Sequence, residues 1–390
     1  MPDLAGPGSF AVGTQVLDLT VNGRSIGVRL WFPARTASPV RAVYRHRRAL
    51  PGQQALKVVE SGTATPGAAP IVGQRYPLIL MSHGYGGWAE HMSRLGELLS
   101  SRGYIVASID HRDQSFTDTA SFAASFGGVL INRTGDQQFV LKAALGRKFA
   151  PDVTAQIDAD AIGLLGYSMG GYGVLTTAGV PLDRGAPAFA RLPPAARAML
   201  PLPDQLLAQR IKAVVALAPW GGQPDAMVWQ DSALPSLHKP LLMIVGDQDD
   251  VVGYERGVKR LFDAARGSDR YLLVYREAAH NIAGNPVPLP PDADFPAIEF
   301  LTDPVWRKDR IEAINAHFIS AFVDLHLKGD ANKRRYLDVP TPNANQGQWP
   351  SAFGQQWGGI TAGDNQPGYW RGFQRRWARG LELHHKAASE

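Results

Sequence analysis

Hydrophobic and polar residues alternate along two neighbouring segments near the start of the chain. Residues 14–20 and 25–32 both show this alternation, and Asn22-Gly23 stands between them. An Asn-Gly pair between alternating segments is a strong signal for a β-hairpin, because both residues tolerate the positive φ angles of its turn. The fold is therefore predicted to open with an antiparallel pair of strands.

Uninterrupted apolar runs recur along the rest of the chain. Such runs, bounded by turn residues, are typical of strands buried on both faces. They alternate with helical segments, which predicts strand-helix-strand units and a mostly parallel central sheet flanked by helices. The predicted strands are residues 76–82, 104–110, 162–167, 211–218, 240–246 and 271–276, and the predicted helices are about 90–102, 137–148 and 306–327.

Three segments break this pattern. Residues 36–75 are rich in Pro, Gly, Ala and Arg and are predicted to form an irregular insertion, whereas residues 179–209 hold six prolines among short Ala/Leu-rich runs. Prolines at this density predict broken helices, and we expect them to form a lid over the carboxyl edge of the sheet. Without a repeat or linker, the prediction is one domain over residues 1–390, with its core at about 10–330 and a C-terminal extension at 331–390.

Composition narrows the function classes. The chain has 390 residues, 45% hydrophobic and 19% charged, with a formal net charge of +5 and no cysteine. The charge is spread thinly, and its densest clusters, residues 45–48 and Arg375-Arg376, do not predict a nucleic-acid partner. The missing cysteines exclude disulfides, thiolate zinc sites and a cysteine nucleophile. No apolar stretch predicts a membrane span, and no signal peptide is visible, so we expect a cytoplasmic protein, or a secreted one if the chain is processed.

Candidate chemistry centres on residues 166–170, which read Gly-Tyr-Ser-Met-Gly after a predicted strand. This pattern predicts a sharp strand-to-helix turn with Ser168 at its apex, where the flanking glycines let strand and helix pass without a clash. The turn exposes Oγ of Ser168 and directs the backbone N–H of Met169 at a developing oxyanion. The alternative is a tight-turn serine with no chemical role.

A serine nucleophile needs a base, and the base needs a carboxylate. In hydrolases built on such a turn the chain order is Ser, acid, His. His280 follows the predicted strand 271–276 and is the candidate base. Asp249 is the favoured acid, because in the spacing Gly246-x-x-Asp-x-x-Val252 it caps the turn and faces the histidine, with Asp247 and Asp250 as alternatives.

Two further residues are candidates for the same site. Residues 82–87 read Ser-His-Gly-Tyr-Gly-Gly after the predicted strand 76–82, which places the N–H of Tyr85 to act as a second oxyanion donor. Trp220 stands just past the predicted strand 211–218. It is predicted to line an acyl or aryl subsite together with Tyr85, and the alternative for Trp220 is a packed core position.

These motifs resemble the α/β-hydrolase branch of platelet-activating-factor acetylhydrolases and their bacterial dienelactone-hydrolase-like relatives. The resemblance rests on residues 82–87, 108–115 and 166–171 with the late Asp and His, and it runs from about residue 6 to 330. It implies an α/β-hydrolase fold that hydrolyses carboxylic esters without metal or cofactor. It also implies Ser168 as nucleophile, His280 as base, Asp249 as acid, and the Tyr85 and Met169 N–H groups as the oxyanion hole.

Residues 166–171, Tyr85 and residues 218–220 are also similar to bacterial cutinases and polyester hydrolases, in which an aromatic pair flanks an aryl ester. The chain is longer than these enzymes and lacks their disulfides, so the natural ester and the oligomeric state stay open. Two alternatives belong to other classes. One is a catalytically silent α/β-hydrolase fold that binds a ligand, and the other is an NAD-binding oxidoreductase using Gly84, Gly86 and Ala89 as a dinucleotide turn.

Overall fold

The computed structural model describes residues 1–36, 38–48, 56–289, 293–348 and 368–389. The predicted hairpin opens the fold, with β1 (Ala11–Val21) and β2 (Arg24–Ala34) antiparallel around Asn22 and Gly23. Both turn residues have positive φ, at 50° and 75°, as the turn requires.

The described strands form a ten-stranded central sheet in the order β12-β11-β10-β9-β8-β6-β7-β2-β1-β5 and a separate two-stranded sheet, β3-β4. Strands β6 to β11 are mutually parallel, while β1, β2 and β12 pair antiparallel with β2, β7 and β11. The predicted mostly parallel α/β sheet flanked by helices is confirmed. The remaining strands are β3 (Val43–Arg48), β4 (Leu56–Ser61), β5 (Thr65–Pro66), β6 (Tyr76–Ser82), β7 (Ile105–Asp110), β8 (Ile157–Tyr167), β9 (Ile211–Leu217), β10 (Leu241–Gly246), β11 (Arg270–Tyr275) and β12 (Leu381–Lys386).

Helices connect the parallel strands and cover the sheet. They are α1 (Ser93–Ser101), α2 (Thr119–Leu145), α3 (Pro151–Thr154), α4 (Met169–Thr177), α5 (Pro194–Ala198), α6 (Gln205–Arg210), α7 (Lys259–Ala264), α8 (Phe295–Leu301) and α9 (Lys308–Leu327). The core is continuous from Leu4 to Leu383, and strands β6 and β10 are buried along their whole length because helices cover both faces. None of the helices in the described ranges is long and apolar enough to cross a bilayer.

Three regions differ from the sequence predictions. Residues 36–75 are not wholly irregular, because β3 and β4 pair within them. The helix predicted at 137–148 is the end of the much longer α2, which begins at a capping box formed by Asp118 and Ser121. The sheet also extends past the predicted core limit of residue 330, since β12 pairs with β11 at its edge.

Residues 179–209 form short helical pieces, as predicted, but they begin and end at the amino edge of the sheet. Helix α4 runs back from the carboxyl edge to Gly179, which lies beside Ala208, and β9 starts immediately afterwards. The segment packs on α2, where Lys142 pairs with Asp204 at 2.6 Å. Its contacts therefore place it against α2 rather than over Ser168, and a lid role stays a prediction.

Candidate active site

Ser168 stands at the carboxyl end of β8, where the chain turns sharply into α4. Its φ and ψ are 52° and −114°, a strained conformation for a residue with a side chain. A Cβ at Gly166 would lie 2.2 Å from the carbonyl oxygen of Gly170, and one at Gly170 would lie 2.1 Å from that of Ser82. Only glycine fits at these two positions, so the motif folds as the predicted elbow.

The structure brings Ser168, His280 and Asp249 into one hydrogen-bonded chain, called here the elbow set. Nε2 of His280 lies 3.0 Å from Oγ of Ser168, and its Nδ1 lies 2.8 Å from Oδ2 of Asp249. The other carboxylate oxygen of Asp249 accepts the N–H groups of Val251 at 3.0 Å and Val252 at 2.9 Å. Because a carboxylate only accepts, Nδ1 of His280 donates, which leaves Nε2 to accept the Ser168 proton.

The two alternative aspartates lie elsewhere. Asp247 receives the backbone N–H of Glu277 and pairs with Arg276 at 3.1 Å, so it holds the start of the loop that carries His280. Asp250 is exposed. A residue that the sequence analysis missed, Asp303, accepts the N–H of Ala279 at 2.8 Å and fixes the same loop from its other side.

The two predicted oxyanion donors belong to segments that lie next to Ser168. Met169 is the first residue of α4, and first-turn amides have no partner within their helix. Tyr85 follows Gly84 in the turn after β6, called here the oxyanion loop (residues 83–87). A Cβ at Gly84 would lie 3.2 Å from Cβ of Ser168, so this loop approaches the serine closely.

Buried polar groups hold the oxyanion loop in place. Nε2 of His83 accepts the N–H of His111 at 3.2 Å, so Nδ1 carries the proton and donates to the Gly84 carbonyl at 2.6 Å. The N–H of Gly86 donates to Oδ2 of Asp113 at 2.8 Å, and Arg133 donates to the same oxygen at 2.7 Å. Burial is the largest single effect on Asp113 and opposes its ionisation, but the Arg133 guanidinium, the neighbouring histidines and the Gly86 N–H together outweigh it and lower the pKa to about 2.

A second Ser-His-Asp group, called here the buried set, lies beneath this loop. Nε2 of His111 is 2.8 Å from Oγ of Ser82, and its Nδ1 is 2.9 Å from Oδ2 of Asp136. Burial raises the pKa of Asp136 to about 6 against the opposing charge of Arg24, which donates to its other oxygen. Burial, with the charge of Arg133, holds the pKa of His111 well below its usual value. The sequence analysis did not find this set, because no motif links its members.

An aromatic cluster surrounds the approach to Ser168. The backbone N–H of Trp220 donates to the Ser168 carbonyl at 3.1 Å, and the indole ring of Trp220 lies 5.2 Å from the ring of Phe126. The Tyr85 ring lies 5.5 Å from Phe126, and its hydroxyl contacts Oγ of Ser125 at 2.8 Å. The predicted Tyr85 and Trp220 are thus joined through Phe126, which the sequence analysis missed together with Phe116 and Phe122. Phe122 and Phe126 stand four residues apart on α2, and this i, i+4 spacing is the signal that could have revealed them.

The glycines of the dinucleotide alternative have a different setting. Gly84 faces Ser168, Ala89 begins a short 3₁₀ helix, and α1 starts only at Ser93. These residues therefore do not form the glycine-rich helix N-terminus that holds a pyrophosphate. In the described ranges, no group of three or more His, Asp or Glu side chains is arranged to hold a metal ion.

Fold and site together define an α/β protein with a serine elbow, and comparison with known proteins points the same way. The sequence model of the family described as platelet-activating factor acetylhydrolase, isoform II, matches residues 52–127. This stretch includes β6, the oxyanion loop, α1 and β7, and it ends before Ser168. The predicted resemblance to platelet-activating-factor acetylhydrolases is confirmed, whereas the resemblance to cutinases and polyester hydrolases stays a prediction.

Three curated relatives carry the name platelet-activating factor acetylhydrolase. The chain is 27% identical to the Bos taurus protein over 143 residues, which cover 27% of this chain and 32% of the relative. It is 46% identical to the Cavia porcellus protein over 50 residues, or 13% and 12% of the two chains, and 40% identical to the Canis lupus familiaris protein over 62 residues, or 16% and 14%. The similarity thus spans at most about a third of these relatives.

Proposed function

We propose that this chain is a serine carboxylic ester hydrolase that acts through an acyl-enzyme on short-acyl or aryl esters. Oγ of Ser168 attacks the ester carbonyl while Nε2 of His280 takes its proton. His280 then donates this proton to the leaving alcohol, and a water activated by the same nitrogen releases the acid. Asp249 holds the imidazole in the required tautomer, and the N–H groups of Met169 and Tyr85 stabilise the oxyanion.

The observation that carries the proposal is the elbow set itself. A strained serine backbone, a base 3.0 Å from its hydroxyl and a carboxylate 2.8 Å from that base are the parts that acyl transfer needs. The ester class is supported by the relatives, whose printed name is that of an acetylhydrolase. The aromatic cluster supports apolar contact with the acyl or aryl group, to which Tyr85 and Trp220 contribute.

Labelling with a fluorophosphonate probe, followed by peptide mapping, tests this proposal. We expect the label on Ser168 and not on Ser82, because the probe reacts only with a serine whose hydroxyl is accessible and hydrogen-bonded to a general base. A panel of p-nitrophenyl esters of increasing acyl length, run beside dialkyl phthalates, then identifies the preferred ester. Folded protein that neither labels nor hydrolyses any member would instead indicate a silent α/β-hydrolase fold that binds a ligand.

A further inference from the structure

A cleft lined by five arginines lies on the surface behind the loop that carries His280. Its volume is about 620 Å³. The pair Arg375-Arg376 is one of the basic clusters that the sequence shows, and the proposed ester hydrolysis gives it no role. The fold brings Arg376 of this pair together with arginines from other parts of the chain. The five arginines that line the cleft are Arg276, Arg307, Arg310, Arg376 and Arg379.

The positive charge of this arginine cleft is only partly neutralised. Arg276 pairs with Asp247 and more distantly with Glu382, and Arg307 pairs with Asp309 at 2.5 Å. The other three arginines form no ion pair with any residue in the described ranges. The carboxylate that lines the cleft is that of Glu277. Several guanidinium groups facing one cleft repel each other unless an anion lies between them.

Arg310 is held as a fixed part of the cleft wall. Its Nη2 donates to the carbonyl oxygens of Trp377 at 3.1 Å and Arg379 at 2.8 Å, and its guanidinium lies 4.3 Å from the ring centre of Trp306. Its Nε is buried, and no partner for it occurs in the described part of the chain. A buried donor without a partner is costly, so the contacts with Trp306, Trp377 and Arg379 must hold this guanidinium in place.

The cleft also contains exposed aromatic surface and strained backbone. Trp377 is 48% exposed at the rim, although a side chain as large and apolar as tryptophan is usually mostly buried. Two non-glycine residues that line the cleft, Glu277 and Arg376, have φ angles of 63° and 72°. Strained residues of this kind cluster at sites where the chain is held for function.

We propose that the arginine cleft binds a small phosphate-bearing molecule. Guanidinium groups match the oxygens of phosphate and of carboxylate with paired hydrogen bonds, and a cluster of five suits the higher charge of a phosphate group. The volume of the cleft falls within the range of small-molecule sites. Trp377 is placed to stack on a planar ring attached to the phosphate. The site is separate from the elbow set, so it does not depend on the proposed hydrolysis.

Calorimetric titration of the full chain with inorganic pyrophosphate, at about 20 mM salt to limit screening, tests the proposal. Arg376→Ala/Arg379→Ala removes two exposed guanidinium groups from the cleft and should weaken binding by at least about tenfold. The matched control, Arg371→Ala/Arg375→Ala, removes the same charge from the same segment outside the cleft lining and should weaken binding by less than about threefold. Thermal unfolding shows whether both variants remain folded.

Three outcomes would overturn the proposal: no pyrophosphate binding to the unmodified chain, equal weakening in both variant pairs, or citrate binding as tightly as pyrophosphate. A titration with ADP sharpens it further. If Trp377 stacks on the adenine ring, Trp377→Leu weakens ADP binding more than pyrophosphate binding. Binding of duplex DNA without binding of pyrophosphate would assign the cleft to a different partner and would equally reject the proposal.

Discussion

A serine, a histidine and an aspartate form the same pattern of hydrogen bonds at two places in this molecule. In the elbow set and in the buried set alike, Nδ1 of a histidine contacts an aspartate and Nε2 contacts a serine hydroxyl, with all four distances between 2.8 and 3.0 Å. These distances therefore do not distinguish a candidate nucleophile from a structural serine.

The surroundings of the two serines do distinguish them. Ser168 stands in strained backbone at the start of a helix, is 6% exposed, and has the oxyanion loop on its other side. Ser82 is fully buried at the end of β6, in ordinary strand conformation. A hydrogen-bonded set becomes a candidate for catalysis through access and nearby oxyanion donors. The buried set instead lies beneath the loop that carries one of the proposed donors.

The largest difference is expected between the two serines. Ser168→Ala should lower kcat for p-nitrophenyl acetate by at least about 10⁴-fold, because it removes the nucleophile. Ser82→Ala should change kcat by less than about tenfold and cost about 1–3 kcal/mol of unfolding free energy, because it leaves a ring nitrogen of His111 unpaired. Equal losses of activity in the two variants at equal folded fraction would contradict the assignment.

The two aspartates offer the next comparison. In Asp249→Asn the amide oxygen stays with the N–H groups of Val251 and Val252, so the NH₂ group faces Nδ1 of His280. The histidine must then carry its proton on Nε2, where it cannot accept from Ser168, and we expect kcat to fall about 10⁴-fold.

Asp136→Asn likewise places an amide NH₂ group against Nδ1 of His111, but we do not expect it to remove activity. The hydroxyl of Ser82 accepts as readily as it donates, so the buried set keeps its hydrogen bonds when His111 changes tautomer. A neutral amide also suits a site that raises the pKa of Asp136 to about 6. We expect activity within about tenfold of the unmodified protein, and a loss as large as that of Asp249→Asn would show that the buried set takes part in turnover.

A smaller effect is expected where the oxyanion loop is anchored. Asp113→Asn removes the charge that holds Arg133 and weakens the acceptor of the Gly86 N–H, so the loop should lose part of its fixed geometry. We expect kcat to fall about tenfold with KM nearly unchanged, measured by steady-state kinetics. Asp118→Asn is the matched control, because asparagine caps α2 as well as aspartate does. A rise in KM alone would indicate a substrate contact instead.

The sequence predicted the parts of the molecule that depend on local pattern. The apolar runs predicted the parallel strands. The order of residues along the chain and the turn spacing predicted that Ser168, Asp249 and His280 form one site. Parts that depend on distant packing were missed. Gly127, Gly128 and Gly135 lower the helix propensity of α2, which is helical because it packs on α4.

Long-range pairing explains the other omissions. Strand β12 alternates apolar and polar residues, but its partner β11 lies about a hundred residues earlier, and no local signal links the two. The members of the buried set come from β6, the end of β7 and the middle of α2, so only the folded chain shows that they meet. The same holds for the arginine cleft, whose five arginines come from three separate segments.

The smallest expected effect is on the pH dependence of the unfolding free energy. The folded-state pKa of His111 and of His83 lies well below the unfolded value of about 6.5, because burial excludes the charged form. The stability that these neutral rings confer is present above about pH 6.5 and declines as the pH falls below it. The contribution of Asp136 to stability changes with pH in the opposite direction. Its pKa is about 6 in the folded state and about 3.9 when unfolded, so its contribution to stability rises as the pH falls through 6.

Asp136→Asn removes this opposing contribution. Between pH 7 and pH 5 the variant should therefore lose about 1 kcal/mol more unfolding free energy than the unmodified protein, which corresponds to about 1 °C in Tm for a chain of this length. Asp249→Asn, measured in the same way, controls for the loss of a carboxylate from a histidine pair. Parallel losses in Asp136→Asn and the unmodified chain would show that Asp136 is ionised in both folded and unfolded states over this range. The charge of Arg24 would then outweigh burial at this carboxylate, and the pKa of Asp136 would not be raised.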